Sequence, residues 1–294
     1  MYTEINQMKN YNDFCDQNAE RLFKIINEHG SLLKWKKEWK NDCSTMIPES
    51  ANGFYKGGNI FNLFYSQIEK GFKSNKWLTF NQVNKLNGSV KKGAKSEIVY
   101  YWSFYKKKTK NKATGQEEIK EIPFFKTYRV FNLEQTSLFN DDKISAVHPK
   151  VCNLLSDCGV AINHFGTKAF YSPNSDIITL PQQTSFDSFE SYHATLLHEL
   201  THATGHESRL NRDSLKNYSD IVARSEEELV AEIGAFFLCS FFNINSDIEN
   251  HASYVNSWKQ HLKPVDIMKA TNNAAKAFHF LLDNAEQIHQ DMAA

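Results

Sequence analysis

The stretch His198–Arg212, HELTHATGHESRLNR, sets the tightest limit on what this chain can fold into. Residues four apart share one face of an α-helix, so His198 and His202 can present two imidazoles to one metal ion. Glu199 stands on the adjoining flank, where a carboxylate can act as a general base. The flanking residues read as a helix that fits this role. Asp187 or Ser188 can cap it, Leu196, Leu197 and Leu200 form an apolar stripe, and Gly205 can end it. Just upstream, AFYSPNSDIITLP (169–181) reads as two short strands about a Ser-Pro-Asn turn. A strand beside such a helix could hold an extended peptide by backbone pairing.

Two histidines do not complete a metal site. Ser208 occupies the place, ten residues after His198, where a metzincin carries its third histidine. His206 lies about 12 Å of helical rise from His198, too far to share one ion. The better source is SEEELVAEIGAFFL (225–238), which reads as a helix burying Leu229, Val230, Ile233 and Phe237. Glu228 and Glu232, four apart, share another face of it. Glu228 is the expected third ligand and Glu232 the carboxylate behind a ligand histidine's free N–H, with Glu227 the competing candidate. Zinc suits such a donor set, with a water in the fourth position. Tyr254 could polarise a substrate carbonyl or simply pack.

The formal net charge of zero conceals an asymmetry. Residues 1–150 carry 25 Lys+Arg against 16 Asp+Glu, and residues 151–294 carry 9 against 18. A sign change at mid-chain points to a basic module joined to an acidic one, divided near residues 140–150, each with its own core. The window 54–110 holds 12 lysines, two acids and 13 aromatics. Ammonium groups neutralise phosphates and flat rings stack on unpaired bases, so this composition suits single-stranded nucleic acid. It suits equally a domain whose rings are core and whose lysines are a solvated face. Residues 98–105 and 124–133 read as strands, 11–40, 59–72 and 79–88 as helical with Thr79 a cap, 49–59 as a glycine-containing loop and 106–118 as an exposed hairpin loop. The odd, scattered cysteines suggest reduced thiols, and neither a signal peptide nor a membrane span is visible; a cytoplasmic protein with no membrane partner is expected.

Several blocks in fixed order extend these readings. GFYKGGN (53–59), WLTFNQ (77–82), GSVKKGAKSEIVYYW (88–102) and YRVFNLEQ (128–135) stand in the first half. FYSPNSDIITLP, YHATLLHELTHATGHESRLNR and EELVAEIGAFFL follow in the second. Together they resemble the ArdC family of antirestriction proteins of plasmids and other mobile elements. The resemblance implies an α+β chain of two domains: an N-terminal single-stranded-DNA-binding domain, here 1–140, and a C-terminal zincin-like metallopeptidase domain of gluzincin type, here 146–294. It also implies that Lys56, Trp77, Lys91, Lys92 and Lys95 lie in blocks available to DNA.

The function expected is protection of incoming DNA from host restriction, type I above all. Single-stranded DNA is the expected partner and host restriction-enzyme subunits are further candidates. The expected metal set is His198, His202 and Glu228 on Zn2+, with Glu199 as general base. The competing expectation is a regulatory or DNA-dependent zinc protease that cleaves a protein partner. A third is a pure inhibitor of restriction enzymes whose metal is structural.

Overall fold

The computed structural model describes residues 2–29, 31–32, 47–110, 117–139, 159–244 and 260–293. The basic half opens with helix α1 (Tyr2–His29), which buries Phe14, Leu22, Ile25 and Ile26 at helical spacing. A two-residue ladder, β1 (Glu49–Ser50) against β2 (Gly53–Phe54), occupies what the sequence suggests is a loop. Helix α2 (Gly58–Glu69), strand β3 (Trp77–Thr79) and helix α3 (Phe80–Lys85) follow. Thr79 caps α3 as expected, and does so reciprocally. Its Oγ1 accepts from Gln82 N at 3.3 Å, while Gln82 Oε1 accepts from Thr79 N at 2.7 Å.

Strands β4 (Glu97–Lys110) and β5 (Glu117–Asn132) form a long antiparallel ladder, with β3 on the far side of β5. The expected loop over 106–118 is corrected. Both strands run into it, in a register that sets Lys106 across from Glu121 and Lys110 across from Glu117. Residues 111–116 lie outside the described residues. Strand β4 is an edge, and α2 closes part of it with side chains. Asn59 Nδ2 donates to Tyr100 O at 2.7 Å, Asn59 Oδ1 accepts from Tyr100 N at 2.9 Å, and Asn62 Nδ2 donates to Ile98 O at 3.1 Å. An asparagine amide offers the same donor and acceptor pair as a peptide group, so it can stand in for a neighbouring strand.

In the acidic half β6 (Ala161–His164), β7 (Phe170–Ser172) and β8 (Ile177–Leu180) make a sheet of order β6-β8-β7. Strands β7 and β8 are the antiparallel pair read from 169–181, leaving β7 at an edge. Among the described residues four α-helices follow: α4 (Phe189–Ala203), α5 (Asp213–Lys216), α6 (Ile221–Phe241) and α7 (Pro264–Ala293). Ser188 is the cap of α4, its Oγ accepting from Ser191 N at 3.0 Å. Tyr254 and the expected 140–150 boundary lie outside the described residues.

The chain is laid out as two domains, but the expectation of a separate core for each is corrected. One apolar cluster runs from Leu22 and Ile25 of α1 and Phe64 of α2 to Leu197 of α4, Phe236 and Phe237 of α6 and Phe278 of α7. Phe64 and Phe236 meet edge to face, 4.7 Å between ring centres. Polar ties cross the same seam. Gly58 N donates to Asn272 Oδ1 at 2.7 Å, and His279 Nε2 donates to the Tyr55 carbonyl at 3.0 Å. Burial holds the His279 pKa below its ordinary 6.5. The sheet of the basic half keeps only a small cluster of its own, Leu63, Trp77, Val99 and Val130. Among the described residues, Cys15 and Cys239 are buried thiols outside any disulfide, and no helix is long and apolar enough to cross a membrane.

Candidate metal centre

Helices α4 and α6 cross at the expected site because two small residues permit it. A Cβ on Gly234 of α6 would stand 2.4 Å from Thr201 Cγ2 of α4, so the helices pack at a distance only glycine tolerates. This close approach brings together His198, His202 and Glu228. Their ligand atoms all lie within 4.8 Å of one another, and all three residues are buried. Glu228 Oε2 is 3.8 Å from His198 Nε2, and Glu228 Oε1 is 3.8 Å from His202 Nε2. Those separations exceed hydrogen-bonding range. They resemble the spacing of about 3.4 Å between two ligands that share a tetrahedral ion at about 2.1 Å. The two imidazole rings stand at 80° to each other with centres 4.9 Å apart, so both can aim a lone pair at one point. Geometry and donor chemistry therefore fit a divalent cation.

The carboxylate behind His202 is Glu227. Glu227 Oε1 accepts from His202 Nδ1 at 3.1 Å, which leaves Nε2 as the lone-pair nitrogen facing Glu228. Glu232 is buried one helical turn beyond Glu228, while Glu227 lies about 100° around the helix, on the side where His202 presents its second nitrogen. A fully buried glutamate needs positive charge and donors. Arg212 supplies them, with Nε 3.0 Å from Glu227 Oε2 and Nη2 2.6 Å from Oε1, and Ser214 Oγ donates to Oε2 at 2.6 Å. Arg212 also donates to Thr204 Oγ1 at 2.6 Å and to the Thr201 carbonyl at 2.8 Å, on the last turn of α4. It reaches that turn across Gly205, where a Cβ would stand 2.7 Å from the guanidinium carbon.

The charges are mutually dependent. Burial opposes ionisation of Glu227, but Arg212 and His202 outweigh it and bring its pKa to about 2. Burial likewise opposes ionisation of Glu228, and the two imidazoles outweigh it, again to about 2. His202 is pulled down by burial and up, more strongly, by its bond to Glu227 and by the charges of Glu228, Glu227 and Glu199, reaching about 9. The centre as built thus favours a positive charge among its carboxylates. The Tyr218 hydroxyl donates to Glu228 Oε1 at the open side. His206, past the helix end, has Nδ1 2.8 Å from Ser208 Oγ.

An open cleft of about 1200 Å³ leads to this point, lined by His198, Glu199, His202 and Glu228 on its floor and by Phe170 and Tyr171 of the edge strand β7. That strand is anchored to the end of α4. Arg209 Nη1 donates to Asp176 Oδ2 at 3.0 Å, Tyr171 OH donates to Asp176 Oδ1 at 2.7 Å, and Arg209 Nε donates to the Ala203 carbonyl at 2.7 Å.

In the basic half, Lys56, Lys91, Lys92 and Lys95 are exposed. Lys91 Nζ also donates to the Glu134 carbonyl at 2.8 Å. Trp77 is corrected as a residue available to DNA. It is 0% exposed, packed with Leu63, Val99 and Val130, its Nε1 directed at Gln67 Oε1. The described rings of the window 54–110 divide between core and surface. Phe61, Phe64 and Tyr65 are core, whereas Phe80 and Tyr101 are more than half exposed. Tyr128, outside that window, is also exposed. Sequence reasoning gave no role to Arg212 or Tyr218 and cast Glu227 only as a rival ligand. Arginine following the metal helix by ten residues was on view, but nothing in its spacing shows the chain folding back.

Comparison with known proteins gives the same two-part division. A model of the N-terminal domain of anti-restriction factor ArdC matches residues 12–131, and one of a zincin-like metallopeptidase matches residues 149–276. The metal-free crystal structure of antirestriction ArdC protein from the R388 plasmid is 33% identical, with a TM-score of 0.73 over 94% of this chain and 98% of that one. Its Mn(II)-bound structure is 32% identical, with a TM-score of 0.71 over 92% and 97%. Two proteins of Escherichia coli, each called DNA primase TraC, are 31% and 32% identical over 90% and 92% of this chain. The chain spans only 19% and 27% of the length of those two. Its likeness to the R388 protein runs nearly end to end in sequence and structure, and the chain belongs to the ArdC family of antirestriction proteins.

Proposed function

We propose that this protein protects DNA entering a new host from restriction, that it binds single-stranded DNA through its basic half, and that His198, His202 and Glu228 hold a zinc ion. The observation that carries the metal reading is the convergence of those three donors within 4.8 Å at the base of an open cleft. Two imidazoles and one carboxylate are a donor set that zinc takes in hydrolases, whereas manganese favours more oxygen ligands. The Mn(II) seen in the R388 protein supports a divalent site in the family's fold. The basic half, with its exposed Lys56, Lys91, Lys92 and Lys95, supports the nucleic-acid reading.

When bound, such an ion supplies Lewis acidity to a water and to a carbonyl in the cleft. The chain's own residues account for the rest. Glu199 takes the proton of the attacking water and returns it to the leaving group. Glu227, held by Arg212, keeps His202 in the tautomer with Nε2 free. The free edge of β7 offers backbone groups to an extended peptide laid beside α4. That edge favours a second reading, a zinc protease that cuts a protein partner gathered at DNA.

The experiment is Glu199→Gln, assayed for peptide hydrolysis and for plasmid transfer into a restricting recipient. Retained protection with lost hydrolysis assigns protection to the DNA-binding half. Loss of both assigns it to proteolysis. If unmodified DNA transfers no better with the wild-type protein than without it, the antirestriction reading is wrong.

A further inference from the structure

The ladder of β4 and β5 carries two tyrosines that the fold leaves in solvent. Tyr101 is 54% exposed and Tyr128 is 42% exposed. Directly paired residues of an antiparallel ladder share a face. Val99 is across from Tyr128 and Tyr101 is across from Lys126, so Tyr101, Tyr128 and Lys126 lie on one face. The rings meet edge to face, 6.5 Å between centres and 74° between planes. One register step down, Val99 and Val130 of the same face are buried against Leu63 and Trp77. Among the described side chains, the face thus passes from core at Val99 and Val130 to the two exposed rings.

The surroundings of these rings are cationic. Lys126 is exposed on the same face of β5, Arg129 is exposed on the opposite face, and the exposed Lys91, Lys92 and Lys95 occupy the loop that leads into β4. That loop is pinned to the ladder. Arg129 Nη1 donates to Ser96 Oγ at 3.2 Å, Gln135 Nε2 donates to the Lys95 carbonyl at 3.0 Å, and Lys91 N donates to the Gln135 carbonyl at 2.8 Å. Glu97, at the start of β4, is already engaged by Lys70 Nζ at 2.5 Å and Ser66 Oγ at 2.7 Å, so its charge is compensated. On the opposite face, beside α1, a groove is lined by Arg21 and Arg129 together with Asp13 and Glu97.

We infer that Tyr101 and Tyr128 are the base-stacking platform for single-stranded DNA, with Lys126 beside them and the 91–95 loop taking the phosphates. This rests on the single-strand-binding reading above and adds the residues that carry it. Unpaired bases can lie flat on an exposed phenol ring, whereas bases already stacked in a duplex cannot. Rings that already rest against each other have less freedom to lose on binding.

The test is fluorescence-anisotropy titration of an oligo-dT with wild-type protein and with Tyr101→Ala/Tyr128→Ala. Both positions are exposed, so melting temperatures should match. The double variant is expected to bind at least about 10-fold more weakly, in keeping with loss of stacking on one or two bases. Tyr101→Trp is expected to keep the affinity, and the new indole fluorescence should be quenched as dT is added. Wild-type protein that fails to bind oligo-dT overturns both the reading and this inference. Wild-type protein that binds, with a double variant that binds equally well, overturns the inference alone.

Discussion

Glu227 Oε1 stands 3.1 Å from His202 Nδ1, one residue before the expected ligand Glu228 in the chain. Two adjacent glutamates thus serve the two nitrogens of one ring. Glu227 fixes the imidazole from behind, and Glu228 faces its free nitrogen 3.8 Å away. A helix turns about 100° per residue, so neighbours can straddle a ring that enters between them.

From this follows the effect of Glu227→Gln. The amide keeps the shape but loses the charge, and the orienting bond weakens. Metal affinity, measured by competition with a chelator, should fall about 10- to 100-fold. Glu232→Gln should not reproduce that loss.

Arg212 is the counter-charge that makes a buried Glu227 tolerable. In Arg212→Ala, Glu227 is left buried with its remaining donors. Unfolding in denaturant should show a loss of about 3–5 kcal/mol, the range for breaking one side of a buried pair. An unchanged midpoint would contradict the network.

Gly234→Ala places a methyl group where Thr201 Cγ2 stands. The helices must separate, at a cost of about 1–3 kcal/mol for overpacking, and the donor triad should loosen with them. Thr201→Ser removes the offending methyl and should restore part of both stability and metal affinity.

The seam between the halves should respond to acid. His279 has its pKa lowered from 6.5 by burial, so its folded value lies below its unfolded one. Above 6.5 both states are neutral at this group and its contribution to stability is complete. As pH falls below 6.5, the unfolded chain takes a proton that the folded chain resists, and stability is lost. Across melting curves taken from about pH 7.5 to about pH 5.5, the midpoint should fall less steeply for His279→Gln than for wild type. Equal slopes would show that the group does not report on the seam.

Trp77 separates core from surface in the basic half. Trp77→Ala should cost about 3–5 kcal/mol, as for other large buried rings, yet leave the DNA affinity of the folded fraction unchanged. Neutralising Lys91, Lys92 and Lys95 together should do the reverse. Stability should hold, while the slope of log affinity against log salt falls in proportion to the contacts removed.

How far the chain could be read from its letters differs between its halves. The convergence of His198, His202 and Glu228 was legible because helical spacing fixes which side chains share a face, and the Ser188 and Thr79 caps followed from local chemistry. Glu227 was harder, since neither spacing nor composition shows how a second helix is rotated about its axis. That rotation is set by Gly234 against Thr201, a contact between distant residues. In the basic half, lysine and ring counts gave a bulk property and not an address. Trp77 and Tyr101 count alike in a composition, but Trp77 packs with Leu63, Val99 and Val130 while Tyr101 stands beyond that cluster. The shared core was also hidden, because a charge change at mid-chain reports on surfaces, while Phe64 and Phe236 join beneath them.

The most direct test of the metal centre is the metal content and zinc affinity of the purified protein beside Glu228→Ala and Glu199→Gln. The proposed zinc site predicts one zinc per wild-type chain, the same content with Glu199→Gln, and loss of tight binding with Glu228→Ala. A Glu228→Ala protein that retains one ion at wild-type affinity would contradict the account.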